Sequence, residues 1–201
     1  MGKLTLTNQH QIVITGSVGL SGAYTLLGEH YEELHERYSC DFLEPVFDYP
    51  DLFSCQSEKE LLEILPYDCY AQASYGGIFG ALFQLVYEAD MGIRVDLKRI
   101  PICQQVIEIA EFFQLNPYLL HSEGSLVIAT LNGEELVAEL RRQEHFAIVA
   151  GYVTKEKARI AYLNEEERFL IPPRRDELIS CFGEQYVKQH FSKHISIYQR
   201  T

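Results

Sequence analysis

The segment Ser74-Tyr75-Gly76-Gly77 is the clearest candidate for binding chemistry in this sequence of 201 residues. It lies directly before an apolar stretch, residues 78–89, whose spacing predicts a helix. Glycines before a helix let the backbone approach a ligand closely, and the free N–H groups and helix dipole there favour a phosphate. The same two glycines would also permit close packing of a buried helix without any ligand. The residues alone leave both interpretations open.

A second candidate is the segment Ser122-Glu123-Gly124-Ser125, which precedes an apolar run typical of a buried strand. Glu123 and Gly124 are either ligand contacts or part of an ordinary loop-to-strand transition. Another glycine group, Gly16, Gly19 and Gly22, has the spacing Gly-x-x-Gly-x-x-Gly, which differs from the dinucleotide-binding pattern Gly-x-Gly-x-x-Gly. This spacing indicates a turn between a strand and a helix.

Histidine and cysteine spacing predicts no metal site. His190 and His194 are four residues apart, which suits a metal on a helix, but no third ligand accompanies them. The five cysteines are an odd number and form no Cys-x-x-Cys pair, which is typical of reduced thiols. The amino terminus does not have the pattern of a signal peptide, and no apolar run approaches the roughly 20 residues of a membrane span. We therefore predict a cytoplasmic protein.

The charge of the chain excludes two classes of partner. Seventeen basic and 29 acidic residues give a formal net charge of −12. Nucleic-acid binding requires a basic stripe that displaces counterions from phosphates. The densest basic groups are the pairs Arg141-Arg142 and Arg174-Arg175, and both lie beside acidic residues. We expect neither a nucleic-acid nor a membrane partner.

Apolar periodicity indicates helices alternating with strands. The predicted strands are residues 12–15, 93–97, 126–129, 146–153 and 159–163, and the predicted helices are 23–38, 58–65, 78–89, 101–116 and 132–142. Pro101 is expected in a first turn, Ser57 and Asn132 are expected caps, and the last two strands are expected to form a hairpin around 155–157. The pattern predicts an α/β fold, a mixed sheet with helices on its faces. We divide the chain into a leader (1–10), one domain (11–176) and a C-terminal extension (177–201).

Three strings carry a family resemblance: QIVITGSVGLSGAYTLL, QASYGGIFGALFQLVYEADMGIRVDLKRIPI and EFFQLNPYLLHSEGSLVIAT. In this order they resemble the C-terminal domain shared by AIR synthase (PurM), selenophosphate synthetase, thiamine-phosphate kinase and the HypE-type hydrogenase-maturation proteins. The resemblance covers about residues 11–176 and implies an AIR synthase C-terminal-domain-like fold. It also implies Mg-ATP as the family's cofactor, held in a groove between two domains.

The departures from the family pattern bear on catalysis. The family's Asp-x-Thr before the two glycines is Gln72-Ala73-Ser74 here, so an amide replaces a carboxylate. Relatives begin with a domain that supplies acidic metal ligands, whereas only a short leader precedes the first strand here. HypE-type proteins end in a cysteine that is modified, and this chain ends in Gln199-Arg200-Thr201. The resemblance therefore implies that the chain does not form a complete ATP-dependent site by itself.

These observations predict a stand-alone, non-catalytic domain that binds a nucleotide or phosphorylated metabolite, or pairs with a partner domain. The predicted contacts are Ser74, Tyr75, Gly76, Gly77, Glu123 and Gly124. Two alternatives stay open: half of a split ATP-dependent enzyme of the hydrogenase-maturation or AIR-synthase type, and a purely structural interaction module. The expected partner is a second copy of the chain or a separate amino-terminal-domain protein.

Overall fold

The computed structural model describes residues 5–47, 55–191 and 196–199. Its strands are β1 (Gln11–Thr15), β2 (Cys69–Gln72), β3 (Gly92–Asp96), β4 (Leu126–Thr130), β5 (Ala147–Thr154), β6 (Arg159–Leu163), β7 (Glu166–Phe169) and β8 (Ser196–Gln199). Its α-helices are α1 (Leu20–Glu29), α2 (Tyr31–His35), α3 (Cys40–Leu43), α4 (Gln56–Leu62), α5 (Gly77–Glu88), α6 (Gln104–Phe112), α7 (Gly133–Arg142) and α8 (Leu178–His190). None of the helices in these ranges has the length and apolar character that crossing a membrane requires.

The strands form one sheet in the order β7-β6-β3-β5-β1-β4-β2-β8. All neighbouring pairs are antiparallel except β3 and β6, which are parallel. The α/β fold with a mixed sheet that the sequence predicts is therefore confirmed.

The predicted hairpin of β5 and β6 is wrong, because β3 lies between these two strands. Arg94 of β3 pairs with Tyr152 of β5 on one side and with Ile160 of β6 on the other. Two strands joined by a short charged connection are typical of a hairpin, and the connection itself carries no sign of the intervening strand. Residues 155–158 instead cross over the start of β3 at Gly92.

Helix α5 covers one face of the sheet. Its residues Ile78, Leu82 and Leu85 are fully buried. They face alternate strand residues, because successive side chains of a strand point to opposite faces. The strand residues of this cluster include Ile12, Ile14, Ala71, Ile93, Val95, Val127, Ala129 and Ala161.

Helices α4 and α7 cover part of the other face. Leu62, Leu136 and Leu140 are buried there against Val13 and Ile128. On the half formed by β3, β6 and β7 the same face carries polar side chains. They include Arg94, Tyr162 and Glu167, with the Arg94 guanidinium 5.5 Å from the centre of the Tyr162 ring.

A third apolar cluster joins α1, α6 and α8 at one end of the sheet. Leu26 and Leu27 of α1 and Ile109 of α6 are fully buried in it, as are Leu178 and Val187 of α8. The predicted C-terminal extension therefore packs on the rest of the chain through α8, and β8 pairs with β2.

Several helix ends differ from the sequence predictions. Asn132 precedes α7 but makes no capping bond with its side chain; the N–H of Gly133 donates instead to Oε1 of Gln11 at 2.8 Å. Pro101 lies before α6 rather than in its first turn, and Ser57 lies inside α4. The predicted helix 23–38 is divided into α1 and α2 at His30, whose ring packs on two phenylalanines. At the start of α7 and at the break between α1 and α2, the contacts come from residues distant in sequence.

Substituting Gly92→Ala should destabilise the fold strongly. A Cβ atom at this position would lie 1.8 Å from the carbonyl oxygen of Glu156 and 2.4 Å from that of Ala158. The connection above Gly92 would have to move, so we expect the free energy of unfolding to fall by about 2–3 kcal/mol or more. Urea unfolding followed by circular dichroism measures this change.

The matched control is Gly28→Ala in α1. An added Cβ there meets no atom within 4 Å, and alanine favours a helix by about 0.5–1 kcal/mol over glycine. We expect this variant to be at least as stable as the wild type. Equal stabilities of the two variants would contradict the crossing of residues 155–158 over Gly92.

Candidate functional site

The segment 116–125 packs against two glycine turns, and this contact organises one end of the sheet. A Cβ atom on Gly16 would lie 2.3 Å from the carbonyl oxygen of Gly124, and one on Gly77 would lie 2.4 Å from that of Tyr118. Both glycines also have positive φ angles, 75° and 63°. Since a side chain at either position would collide with backbone, only glycine permits this packing.

The turn Ser74-Tyr75-Gly76-Gly77 connects β2 to α5, and two of its backbone N–H groups have protein partners. The N–H of Gly77 donates to the carbonyl oxygen of Ser74 at 3.0 Å. The N–H of Gly76 donates to a carboxylate oxygen of Asp176 at 2.8 Å. Ser74, Gly76 and Gly77 are buried, and Tyr75 is half-buried. A carboxylate of the chain itself thus lies at the start of α5, where the sequence predicts a phosphate.

Asp176 belongs to residues 170–177, which we call the strap. Its side chain is fully buried, and its second carboxylate oxygen accepts the N–H of Leu178 at 3.0 Å. Burial raises the pKa of Asp176 to about 6, although the backbone N–H groups of Leu178, Gly76 and His121 act in the opposite direction. One carboxylate therefore joins the start of α5 to the start of α8.

Glu123 and Gly124 lie beside the glycine turn. The N–H of Ser122 donates to the carbonyl oxygen of Ser74 at 3.3 Å, which joins the two segments. Gly124 is buried, whereas Glu123 is exposed. The structure therefore brings all six predicted contact residues to one end of the sheet. We call this region the loop end; it comprises residues 15–19, 72–77, 120–125 and 145–147.

His121 is a buried residue of this region that the sequence does not single out. Its Nδ1 lies 3.0 Å from the hydroxyl of Ser21, and that hydroxyl accepts the N–H of Glu123 at 2.9 Å. Burial lowers the pKa of His121 to about 4, so the ring is neutral at neutral pH. The two partners are 100 residues apart, so no local spacing could have indicated the contact.

Gln72 lies at the loop end, at the position where the resembled family has a carboxylate. Its amide oxygen accepts a hydrogen bond from the ammonium group of Lys59 at 2.7 Å. Glu58, which precedes Lys59 in the sequence, is buried, and its Oε1 lies 3.4 Å from Nδ1 of His145. Within the described ranges, no three His, Cys, Asp or Glu side chains are grouped so that they could hold a metal ion.

The histidine pair considered for a metal is described only in part. His190 lies at the end of α8, with its Nδ1 2.9 Å from the carbonyl oxygen of Tyr186. His194 lies outside the described residues. The structure therefore says nothing about a contact between the two.

The pKa shifts of Asp176 and His121 predict opposite pH dependences of stability. The folded chain keeps the Asp176 proton up to about pH 6, so the contribution of this group to stability falls as the pH rises from about 4 to about 6. The folded chain resists protonation of His121 down to about pH 4, so that contribution rises between about pH 4 and 6.5. In the wild type the two slopes oppose each other.

Asp176→Asn removes the group whose contribution to stability falls as the pH rises. We expect the free energy of unfolding of this variant to rise with pH more steeply than that of the wild type. The difference across the window should be on the order of 2–3 kcal/mol. Urea unfolding at several pH values between about 4 and 7 measures it.

The asparagine also loses an acceptor for one N–H, which shifts the free energy of unfolding at every pH. The slope of that free energy with pH is therefore the readout. An exposed control, Glu36→Gln, should leave the slope unchanged, and parallel curves for Asp176→Asn and wild type would contradict the buried carboxylate.

Comparison with known proteins places this geometry in a family. The family described as AIR synthase related protein, C-terminal domain, matches residues 10–164. A curated relative, a putative hydrogenase expression/formation protein of Methanocaldococcus jannaschii, is 25% identical over 149 residues, which are 72% of this chain and 42% of the relative.

Solved structures show the same fold. HypE of E. coli, a hydrogenase maturation protein, superposes with a TM-score of 0.67 at 22% identity, over 87% of this chain and 53% of HypE. A HypE structure in complex with ATP gives a TM-score of 0.63 at 20% identity, over 85% of this chain and 52% of that protein. The chain thus spans about half the length of these relatives. Since the family match covers most of the sequence, the chain belongs to the AIR synthase-related family and corresponds to its C-terminal domain.

Proposed function

We propose that this chain is a non-catalytic AIR synthase-related domain whose loop end forms one wall of a cleft for a nucleotide or phosphorylated metabolite. An amino-terminal-type domain would form the opposite wall. The HypE relatives support a cleft of this kind, because one of them was crystallised with ATP and another in a complex with HypF. Catalysis of phosphoryl transfer requires positioned groups on both sides of the transferred group, and one wall supplies only part of them.

The observation that carries this proposal is an exposed aromatic side chain at the loop end. Phe146 exposes 54% of its surface, and its carbonyl oxygen accepts the N–H of Gly16 at 3.2 Å. It therefore lies beside the turn at Gly16, which packs on Gly124 next to Glu123. Large exposed aromatic residues next to polar groups are typical of the centres of protein interfaces. Phe146 is the contact that we assign to the partner domain.

Lys59 and Gln72 support binding without metal ligation. Mg²⁺ is held in proteins by carboxylates and phosphates, and an amide bonded to an ammonium group is a poor substitute. An ammonium group attracts phosphate. The predicted contacts Ser74 to Gly77 fit the same cleft, with one condition: a phosphate on the N–H of Gly76 has to displace the carboxylate of Asp176.

A second candidate is half of an ATP-dependent enzyme. Its support is the length of chain covered in the relatives, about half of HypE. In this case the assembled pair, rather than this domain, would carry out the reaction.

Calorimetry with Mg-ATP distinguishes these functions. We expect no ATP turnover by this chain alone, and heat of binding when an amino-terminal-type domain from the same genome is added. Turnover in the mixture would favour the split enzyme. The absence of heat with and without that domain would favour a structural interaction module, whose self-association sedimentation would detect. Turnover by the chain alone at an enzyme-like rate would overturn the proposal.

Phe146→Ser should weaken association with the amino-terminal-type domain by about tenfold or more, because truncating a central aromatic contact commonly costs 1–3 kcal/mol. Titration of the two domains measures the dissociation constant. The control is Leu131→Ser: this residue is similarly exposed, at 50%, and follows the opposite end of β4. Equal effects of the two substitutions on the dissociation constant would show that the interface does not lie at the loop end.

A further inference from the structure

A cavity of about 560 Å³ lies between the strap, the segment 116–119 and strands β6 and β7. None of the predicted contacts of the loop end lines it; Pro173, which packs on Gly76, is where the cavity adjoins the glycine turn. The volume is within the range of about 300–1,000 Å³ that is usual for small-molecule sites. The lining residues that matter chemically are Phe79, Tyr118, Arg168, Phe169, Arg174 and Arg175.

Positive charge is concentrated here although the chain as a whole has a net charge of −12. Three arginines line the cavity against one carboxylate, Glu177. Arg168 has an exposed partner, Glu166, at 3.8 Å, and an exposed pair of this kind contributes little. Arg174 and Arg175 are both exposed. Arg175 is close enough to Glu177 to favour the charged form of that carboxylate, which leaves the cavity with more arginines than acidic groups. Two neighbouring guanidinium groups can bind a phosphate through several charge-assisted hydrogen bonds.

The rest of the lining is apolar and aromatic. The rings of Phe79 and Tyr118 stack in parallel, with centroids 4.9 Å apart and planes 4° apart. Phe169 exposes 76% of its surface and Ile171 exposes 70%, and both line the cavity. Flat rings of this kind bind a planar aromatic group by stacking, at about 0.5–1.5 kcal/mol beyond the area buried.

We propose that this cavity is a binding site for an aromatic phosphomonoester of the size of a nucleoside monophosphate. The phosphate binds at Arg174 and Arg175, and the ring system packs among Phe79, Tyr118 and Phe169. The site is separate from the cleft at the loop end, so it needs neither a partner domain nor a metal ion. Because two of its arginines and two prolines belong to the strap, occupation of the cavity fixes the segment that also carries Asp176.

The test is calorimetric titration of the chain alone, without magnesium, using adenosine 5′-monophosphate as the probe. Inorganic phosphate and adenosine are the comparison ligands. We expect binding with a dissociation constant below about 1 mM, with phosphate alone and adenosine alone each at least about tenfold weaker. The double substitution Arg174→Ala and Arg175→Ala should weaken the probe's binding by about tenfold or more.

Lys155→Ala with Lys157→Ala is the charge-matched control, because both lysines are exposed on the connection of β5 to β6. Unchanged affinity for the probe in this control, together with loss in the arginine variant, supports the site. Equal weakening in both variants would mean that net charge alone attracts the nucleotide. Inorganic phosphate binding as tightly as the probe would mean that the aromatic side chains do not contribute to binding. Either result overturns the proposal. So would the absence of probe binding in the wild type. Failure of the pairing proposed for Phe146 would not affect this measurement, since no second domain is present.

Discussion

Contact of backbone with backbone, at positions where a side chain would not fit, fixes the arrangement on which the rest of this structure depends. The segment 116–125 is part of the connection from α6 to β4, while the turns at Gly16 and Gly77 lie at the starts of α1 and α5. Because those glycines bring the three segments together, two helices and three strands are positioned by one contact region. Atoms packed this closely cannot slide past each other without a cost of several contacts. We call this contact region of the loop end the backbone junction.

The carboxylate of Asp176 adds a further contact to the backbone junction. Asp176 lies outside the three sequence strings that carry the family resemblance. Moving a charge out of water is costly unless hydrogen-bond donors replace the lost hydration, and here backbone N–H groups at the starts of two helices do so. The hydrogen bond from Gly76 to Asp176 holds the strap beside α5. The strap in turn forms one wall of the arginine-lined cavity. Access to the start of α5 and the shape of the cavity consequently depend on the same few residues.

The sequence contained enough information for the class of fold, since that class follows from local patterns. It also singled out the two segments that the structure brings together at the loop end. The alternation of helices and strands, the helix after Gly77 and the strand at 126–130 could be predicted because periodicity is a local property. The order of strands could not: the four residues between β5 and β6 look like a hairpin turn, and only the pairing with β3 shows otherwise. The roles of Asp176 and His121 also escaped, because each depends on a partner 100 residues away. Three short strands of four residues each, β2, β7 and β8, were not predicted. β7 and β8 are the outermost strands of the sheet, where one side lacks a neighbour and apolar patterning is weakest.

The order of the sheet also constrains how the chain can fold while it is being made. None of the first three strands pairs with another of the three. β1 pairs with β4 and β5, β2 pairs with β4 and β8, and β3 pairs with β5 and β6. During translation the ribosome therefore has to release Leu126–Thr130 before any ladder of this sheet can form. Until then Ile12, Val13 and Ile14 remain unpaired apolar residues on a nascent polypeptide, the condition in which chains aggregate or are held by chaperones. Helices can form early on this chain, but the sheet is a late event of its synthesis.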